Sequence, residues 1–235
     1  MGLTFTVDQA RAAGTLVARF HKLSALWDIQ AFGGRFELPL FEQSTVSDIR
    51  NFLDSRPVPA SVAQRLLCEN KVAILRACER IMGSDLSAVE QLGRIIIHYD
   101  WNGYNLIWGN ERILGLLDFD SLVEAPRIVD FVNALVYAST TNHGVDTRRL
   151  EIFIRGYVSI SRLSPAEVEL IYPCAVDGLV RVILGVLGEQ KRKNDCRIKD
   201  ELLMHLTQAL LWMLHNSHEF DATVARLNAE RGGNP

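Results

Sequence analysis

The sequence is poor in several features that mark particular classes of protein. It contains only 4 cysteines, Cys68, Cys78, Cys174 and Cys196, and no two of them form a C-x-x-C pair. A disulfide framework or a zinc knuckle is therefore not expected, and reduced thiols favour a cytoplasmic location. By inspection of the sequence no apolar run approaches the roughly 18 residues of a membrane helix, and the N-terminal residues do not form a signal-peptide pattern.

The sequence also lacks an excess of charge of one sign. Its 25 basic and 28 acidic residues give a net charge of −3 and a pI near 6.1. This balance gives no electrostatic basis for binding nucleic acid or a membrane surface. Apolar residues make up 48% of the chain and charged residues 23%, which is typical of a globular protein that buries a core.

The spacing of apolar residues predicts a mainly helical protein with a small β segment, an α+β fold. Thr6 and Gln9 form a capping-box pattern at the start of the first helix. Residues 31–45 are predicted to be a loop, residues 1–230 a single domain, and residues 231–235 a frayed tail. The helices are predicted at about 7–22, from Thr45 or Ser47 through Phe52, and at 61–82, 127–141, 146–160, 165–187, with a split or kink at Pro173, and 197–216.

The β segment occupies about 25 residues after Arg94. A β-branched run at Ile95–Ile97 is typical of a buried strand, and two short apolar runs follow it at Leu106–Trp108 and Ile113–Leu117. Gly109–Asn110 lies between these two runs and predicts a tight hairpin turn. A sheet this small must pack against the helices to be stable.

The polar residues with chemical potential gather in this β segment. Asp100 follows the first strand, Asn105 comes five residues later, and Asp118 follows the hairpin. If the loop brings them together, two carboxylates and a carboxamide form an oxygen-rich pocket that suits Mg²⁺ and phosphate. Phosphoryl transfer needs such a set, with one carboxylate free to orient the attacking hydroxyl. The alternative is that these residues are ordinary turn formers.

The pattern H-x-D-x-x-x-x-N, followed by a short hairpin that ends in D-F-D, resembles the catalytic lobe of protein-kinase-like phosphotransferases. It is most similar to the small-molecule branch, which includes aminoglycoside phosphotransferases, choline and fructosamine kinases and type II homoserine kinases. The segment from Ala12 to Leu23 resembles the first helix of that lobe. The resemblance covers about residues 8–215, and its two motifs are specific only in combination.

The resemblance implies a role for each matching residue. Asp100 would orient or deprotonate the substrate hydroxyl, and Asn105 and Asp118 would bind Mg²⁺ and, through it, the nucleotide. His98 would support the catalytic loop from behind. Asp130, which matches an aspartate shortly after the metal motif, would steady the same loop.

The sequence departs from the family pattern in two ways. Tyr99 stands where the family commonly has glycine, and Asn102–Tyr104 replaces a His-Pro-Gly segment, so Tyr99 adds bulk near the substrate. The second departure is that no Gly-rich loop or strand lysine precedes the first helix, so the N-terminal β-lobe is expected to be absent. Trp101 and Asp177 are weaker candidates for the substrate side, since such residues are more often core or solvated.

The resemblance implies a phosphotransferase that uses ATP and Mg²⁺ to phosphorylate a hydroxyl of a small molecule. Aminoglycosides, amino alcohols, homoserine and sugar-like molecules all stay open as substrates, and a missing lobe would have to come from elsewhere. The alternative is a truncated or degenerate kinase-like module that binds a ligand without turnover. We expect no nucleic-acid or membrane partner. Self-association is expected if the face toward the missing lobe exposes apolar residues.

Overall fold

The computed structural model describes residues 5–28, 43–55, 60–83, 87–110, 112–141, 143–197 and 199–230. The predicted loop at 31–45 lies largely outside these ranges, and the predicted tail at 231–235 lies wholly outside them. Within them the protein is mainly helical. The helices are α1 (Val7–Ser24), α2 (Gln43–Ser55), α3 (Val62–Glu69), α4 (Lys71–Gly83), α5 (Ser87–Glu90), α6 (Arg127–Ser139), α7 (Thr147–Val158), α8 (Pro165–Lys193), α9 (Asp200–His215) and α10 (Ser217–Ala229).

The first helix begins where its capping box predicts. The Thr6 hydroxyl accepts a 3.1 Å hydrogen bond from the Gln9 backbone N–H, and the Gln9 side chain accepts a 2.9 Å bond from the Thr6 N–H. Both bonds satisfy donors that have no partner inside the helix. The apolar stripe that includes Ala10, Ala13 and Val17 is buried, so α1 is a core element.

Helices α1 and α7 touch backbone to backbone at two glycines. A Cβ on Gly14 would overlap the carbonyl oxygen of Phe153, and a Cβ on Gly156 would overlap that of Arg11. The Thr15 hydroxyl also reaches the Gly156 carbonyl oxygen at 3.4 Å. Only glycine permits this close crossing, which fixes the position of α1 relative to α7.

Six short strands form three antiparallel two-stranded sheets within the described residues. The predicted hairpin is confirmed as β2 (Leu106–Gly109) with β3 (Arg112–Leu116), and Asn110 in its turn has φ +57°. The first strand, β1 (Arg94–Ile97), pairs with a strand that sequence reasoning missed, β4 (Val123–Pro126). The third pair is β5 (Thr140–Thr141) with β6 (Gly144–Val145).

Several predicted helix boundaries were wrong. The helix expected over 61–82 divides into α3 and α4 at Asn70, whose Nδ2 donates a 2.9 Å bond to the Leu66 carbonyl oxygen. That bond offers the backbone an alternative to continuing the helix. Helix α8 is not split at Pro173, because Tyr172 and Cys174 on either side of the proline are buried in the core. Helix α10 was not predicted.

Helix α8 contradicts the expectation that no apolar segment is as long as a membrane helix. By length and composition alone this helix could cross a membrane, but 61% of its apolar window is buried inside the protein. Core helices of globular proteins share this property. Helices α2, α6, α9 and α10 pack against α8, so its apolar composition is accounted for by its central position.

Candidate functional site

The loop after β1 is anchored from below by one buried carboxylate. Asp130, in the first turn of α6, accepts a 3.2 Å hydrogen bond from the backbone N–H of His98 and a 2.7 Å bond from that of Tyr99. Its Oδ2 atom also lies 2.9 Å from Nε2 of His21 on α1. The other ring nitrogen of His21 lies 2.9 Å from the Tyr157 hydroxyl on α7. One carboxylate thus joins the loop to three helices.

Tyr99 adopts a backbone conformation that favours glycine. Its φ is +68°, in the left-handed region that costs an L-residue of this size about 1 kcal/mol. The bonds from Asp130 to two successive amides hold the strained turn in place. This conformation gives a physical reason why glycine is common at the matching position of the family.

The carboxylate of Asp100 is held by two side-chain amides. Oδ1 accepts a 2.6 Å hydrogen bond from Nδ2 of Asn102, and Oδ2 accepts a 2.8 Å bond from Nδ2 of Asn105. The Asn105 amide also donates a 3.0 Å bond to the Asp100 carbonyl oxygen. Asn102 in turn caps the single 3₁₀ turn Gly103–Asn105. Asp100 is therefore oriented by the loop that it begins.

Two hydrogen bonds join this loop to the end of the hairpin. The Leu117 N–H donates a 2.8 Å bond to the Asn105 carbonyl oxygen. Nε2 of His98 lies 2.8 Å from the Leu117 carbonyl oxygen, and the His98 ring is fully buried between Phe20 and Phe119. Both bonds act on the residue just before Asp118, so the structure brings Asn105 and Asp118 to the same place.

The oxygen atoms of Asn105 and Asp118 are suited to binding a magnesium ion that is also bound by a phosphate group. Nδ2 of Asn105 is used by Asp100, which leaves the amide oxygen to face a cation. Asp118 is exposed, has φ +62° and makes no capping bond with its side chain. Among the described residues no group of three or more His, Cys, Asp or Glu could hold a metal. A set of one carboxylate and one amide matches Mg²⁺, which keeps waters and phosphate oxygens as its remaining ligands.

An open cleft of about 660 Å³ lies beside Asp100. Helix α8 forms one wall with Gly185 and Glu189, and the start of α9 contributes Glu201. Glu189 lies 2.9 Å from the amine of Lys199, and hydrogen bonds from Lys199 and Lys193 lower the pKa of Glu189 to about 2. Glu189 is therefore paired with two lysines, and the negative charge of the cleft comes from Asp100 and Glu201.

A second, enclosed cavity of about 100 Å³ adjoins the cleft. Tyr137 and Val182 line both spaces. Burial raises the pKa of Tyr137 to about 12, and the negative charge of Asp100 adds to the rise. Sequence reasoning missed Tyr137, because a tyrosine inside an apolar helix carries no signal that separates a cleft residue from a core residue.

The weaker substrate-side candidates lie in different places. Asp177 lines the enclosed cavity and accepts a 2.7 Å bond from Arg181. Tyr99 lines the same cavity. Trp101 is 1% exposed and packs against Phe20, so the structure places it in the core.

Large apolar side chains are exposed around Asp118. Ile107, Leu114, Leu117 and Phe119 are each between 45% and 69% exposed. They belong to the hairpin and to the turn that follows it. This apolar surface borders the place where Asn105 and Asp118 meet.

Comparison with known proteins now identifies the family. The model of the Phosphotransferase enzyme family matches residues 5–168, which include the loop, the hairpin and Asp130. The chain belongs to this family. No curated protein sequence matches it.

Solved structures with low sequence identity share the fold. An aminoglycoside phosphotransferase from Alicyclobacillus acidocaldarius subsp. acidocaldarius DSM 446 is 15% identical with a TM-score of 0.63, covering 94% of this chain and 66% of that one. A microcompartment-associated aminopropanol kinase is 18% identical with a TM-score of 0.57, covering 95% and 65%. A spectinomycin phosphotransferase in complex with ADP and spectinomycin is 14% identical with a TM-score of 0.58, covering 92% and 67%.

These structures support the helix-rich, kinase-like fold that the sequence predicted. The chain spans about two thirds of the length of the structures it matches. The expected absence of an N-terminal β-lobe stays a prediction.

Proposed function

We propose that this chain transfers the γ-phosphoryl group of ATP to a hydroxyl group of a small, amine-bearing molecule. The observation that carries the proposal is the carboxylate of Asp100, which opens on a negatively charged cleft while Asn102 and Asn105 hold both of its oxygens. A carboxylate fixed in this way can align a hydroxyl group for in-line attack.

In the proposed reaction the acceptor oxygen forms a bond to the γ-phosphorus as the bond to the β–γ bridging oxygen breaks. The hydroxyl proton passes to the Asp100 carboxylate, and ADP leaves. Asn105 and Asp118 are the residues that would hold Mg²⁺, which supplies neutralisation of phosphate charge when bound. Asp130 and His98 position the loop through the bonds described above.

Two further features support parts of the proposal. The exposed apolar side chains at Ile107, Leu117 and Phe119 border the proposed phosphate site and give a nucleotide base a surface to pack on. The carboxylate of Glu201, beside that of Asp100, favours an acceptor with a positive charge. Amino alcohols, homoserine and aminoglycosides satisfy this requirement, whereas a neutral sugar satisfies it less well. A cytoplasmic location and self-association through the apolar surface are proposals that accompany it.

The test is a phosphoryl-transfer screen that detects both products. Phosphorus NMR monitors the release of ADP and the formation of the phosphate ester. The acceptors are aminopropanol, homoserine, choline, spectinomycin and glucose. We expect ester formation with an amine-bearing acceptor and a loss of at least about 100-fold in Asp100→Asn. Thermal unfolding of the variant serves as the control for folding.

The alternative, a module that binds its ligand without turnover, predicts a different result. Acceptors would bind, but no ester would form, and Asp100→Asn would behave like the native protein. This outcome would overturn the proposed transfer reaction.

A further inference from the structure

Tyr99 is the side chain that most restricts the space behind Asp100. It is the residue immediately before Asp100, and its side chain lines the enclosed cavity of about 100 Å³. The volume corresponds to roughly three water molecules, well below the roughly 300–1,000 Å³ of a typical ligand site. Without a side chain at this position the cavity would be larger and would begin directly at the catalytic loop.

The walls of this cavity are largely apolar, with polar groups from Asn133, Tyr137 and an ion pair. Val132 and Val136 from α6 and Val182 from α8 form the sides. In the ion pair, Arg181 donates its 2.7 Å bond to Asp177. Burial raises the pKa of the Tyr99 phenol, while Arg181 lowers it and Asp177 raises it, so the phenol feels the charges of this ion pair. Tyr99 thus shares the lining of the cavity with the ion pair.

The cavity and the open cleft are neighbours. Tyr137 and Val182 line both, and Gly178 in the cavity and Gly185 in the cleft lie seven residues apart on α8. A Cβ on either glycine would meet no atom within 4 Å, so α8 leaves this side of the space open. An acceptor whose hydroxyl reaches Asp100 can extend an apolar group toward Tyr99.

We propose, on the basis of the proposed function, that Tyr99 sets the acceptor specificity by closing the enclosed cavity to all but compact apolar groups. The acceptor class is a short-chain amino alcohol, with its ammonium group toward Glu201 and a short alkyl group toward Tyr99. Longer or branched alkyl groups are excluded by the ring. The left-handed backbone at Tyr99 directs the side chain into the cavity and keeps it there, because Asp130 holds the two amides of the turn.

The experiment compares three substitutions that separate side-chain volume from backbone conformation. Tyr99→Gly and Tyr99→Asn both tolerate a positive φ and both enlarge the cavity. Tyr99→Phe keeps the volume of the ring and removes only its hydroxyl group. The acceptors are 2-amino-1-alkanols with two to six carbons, and the readouts are kcat/KM for transfer and calorimetric affinity without nucleotide.

In the native protein and in Tyr99→Phe, we expect kcat/KM and affinity to fall at least tenfold between the shortest and the longest acceptor. In Tyr99→Gly and Tyr99→Asn, we expect this fall to shrink by at least tenfold. The same dependence on chain length in all four proteins, within a factor of two, would overturn the proposal. So would the absence of acceptor binding in every protein.

The two readouts separate this proposal from the proposed function. If acceptors bind with the expected length dependence but no ester forms, Tyr99 limits the site and the transfer reaction is wrong. If ester forms in all four proteins with one common length dependence, the transfer reaction stands and the role of Tyr99 is wrong.

Discussion

Asp130 accepts a 2.7 Å hydrogen bond from the backbone N–H of Tyr99 through Oδ1, while its Oδ2 lies 2.9 Å from Nε2 of His21. The side chain is fully buried, so neither contact can be replaced by water. The strained turn before Asp100 is thus held by a buried side chain from the first turn of α6. A change at Asp130 therefore affects both the folding of the protein and the position of Asp100.

The first prediction concerns Asp130→Asn. An amide has one oxygen where the carboxylate has two. At least one of the three N–H groups that now donate to Asp130, on His98, Tyr99 and His21, therefore loses its acceptor and faces the side-chain NH₂ group. We expect the free energy of unfolding to fall by roughly 2–3 kcal/mol and transfer activity to fall with it. Urea denaturation measures the first effect. Asp8→Asn, an exposed aspartate on α1, should change stability by less than about 0.5 kcal/mol. Equal effects of the two substitutions would show that the buried bonds contribute nothing.

The second prediction concerns glycines with opposite surroundings. Gly14→Ala places a methyl group against the backbone of Phe153 and should destabilise the protein by roughly 1–3 kcal/mol or more. Gly185→Ala on α8 meets no atom within 4 Å and should stabilise the helix by up to about 1 kcal/mol. Thermal unfolding of both variants checks the signs. A native-like stability for Gly14→Ala would mean that α1 and α7 are not packed as described.

The third prediction concerns the pH dependence of stability through Glu167. Burial alone would raise the pKa of Glu167, but hydrogen bonds from Arg127 and the Ser164 backbone outweigh it and hold the pKa below its ordinary value of 4.5. The carboxylate is thus ionised more readily in the folded state than in the unfolded state. Its contribution is fully present above pH 4.5 and is lost as the pH falls through and below that value.

Thermal unfolding of Glu167→Gln between pH 3 and pH 7 checks this sign. The melting temperature of the variant should lie below that of the native protein at pH 7, and the gap should narrow as the pH falls below about 4.5. Glu169→Gln, an exposed neighbour on α8, should produce no such narrowing. A difference in melting temperature that grows as the pH falls would contradict the lowered pKa of Glu167.

The fourth prediction concerns His98→Phe. The phenyl ring preserves the packing against Phe20 but removes the bond to the Leu117 carbonyl oxygen, which precedes Asp118. We expect the affinity for Mg²⁺-ATP to fall by about tenfold, while acceptor affinity changes much less. Calorimetric titration of each ligand separates the two effects, and His143→Phe at an exposed position serves as the control. A larger loss of acceptor affinity would place His98 in a different role.

The sequence predicted those parts of the fold that depend on local patterns. The capping box at Thr6 located the start of α1, and the Gly109–Asn110 pair located the hairpin turn. A β-branched run located β1, and two short apolar runs located the strands of the hairpin. These features depend on neighbouring residues and on intrinsic preferences, so they are visible without knowledge of tertiary contacts.

The parts that the sequence did not predict depend on distant contacts. The pairing of β4 with β1 joins residues about 30 apart, and Val123–Pro126 is too short to show a strand pattern. Helix α8 continues through Pro173 because the residues around it are buried by other helices. At the site, the spacing of Asp100, Asn105 and Asp118 indicated the chemistry. The contacts of His21 with Asp130 and of Tyr137 with the cleft required the assembled structure.

The proposed function requires that Asn105 and Asp118 bind Mg²⁺ and, through it, the phosphates of ATP. The most direct test is calorimetric titration of the native protein and of Asp118→Asn with Mg²⁺-ATP, each repeated with EDTA in excess. We predict one-to-one binding that is abolished by EDTA and at least tenfold weaker in the variant, with unchanged thermal stability. Equal affinity in the two proteins, or no binding by the native protein, would contradict the account.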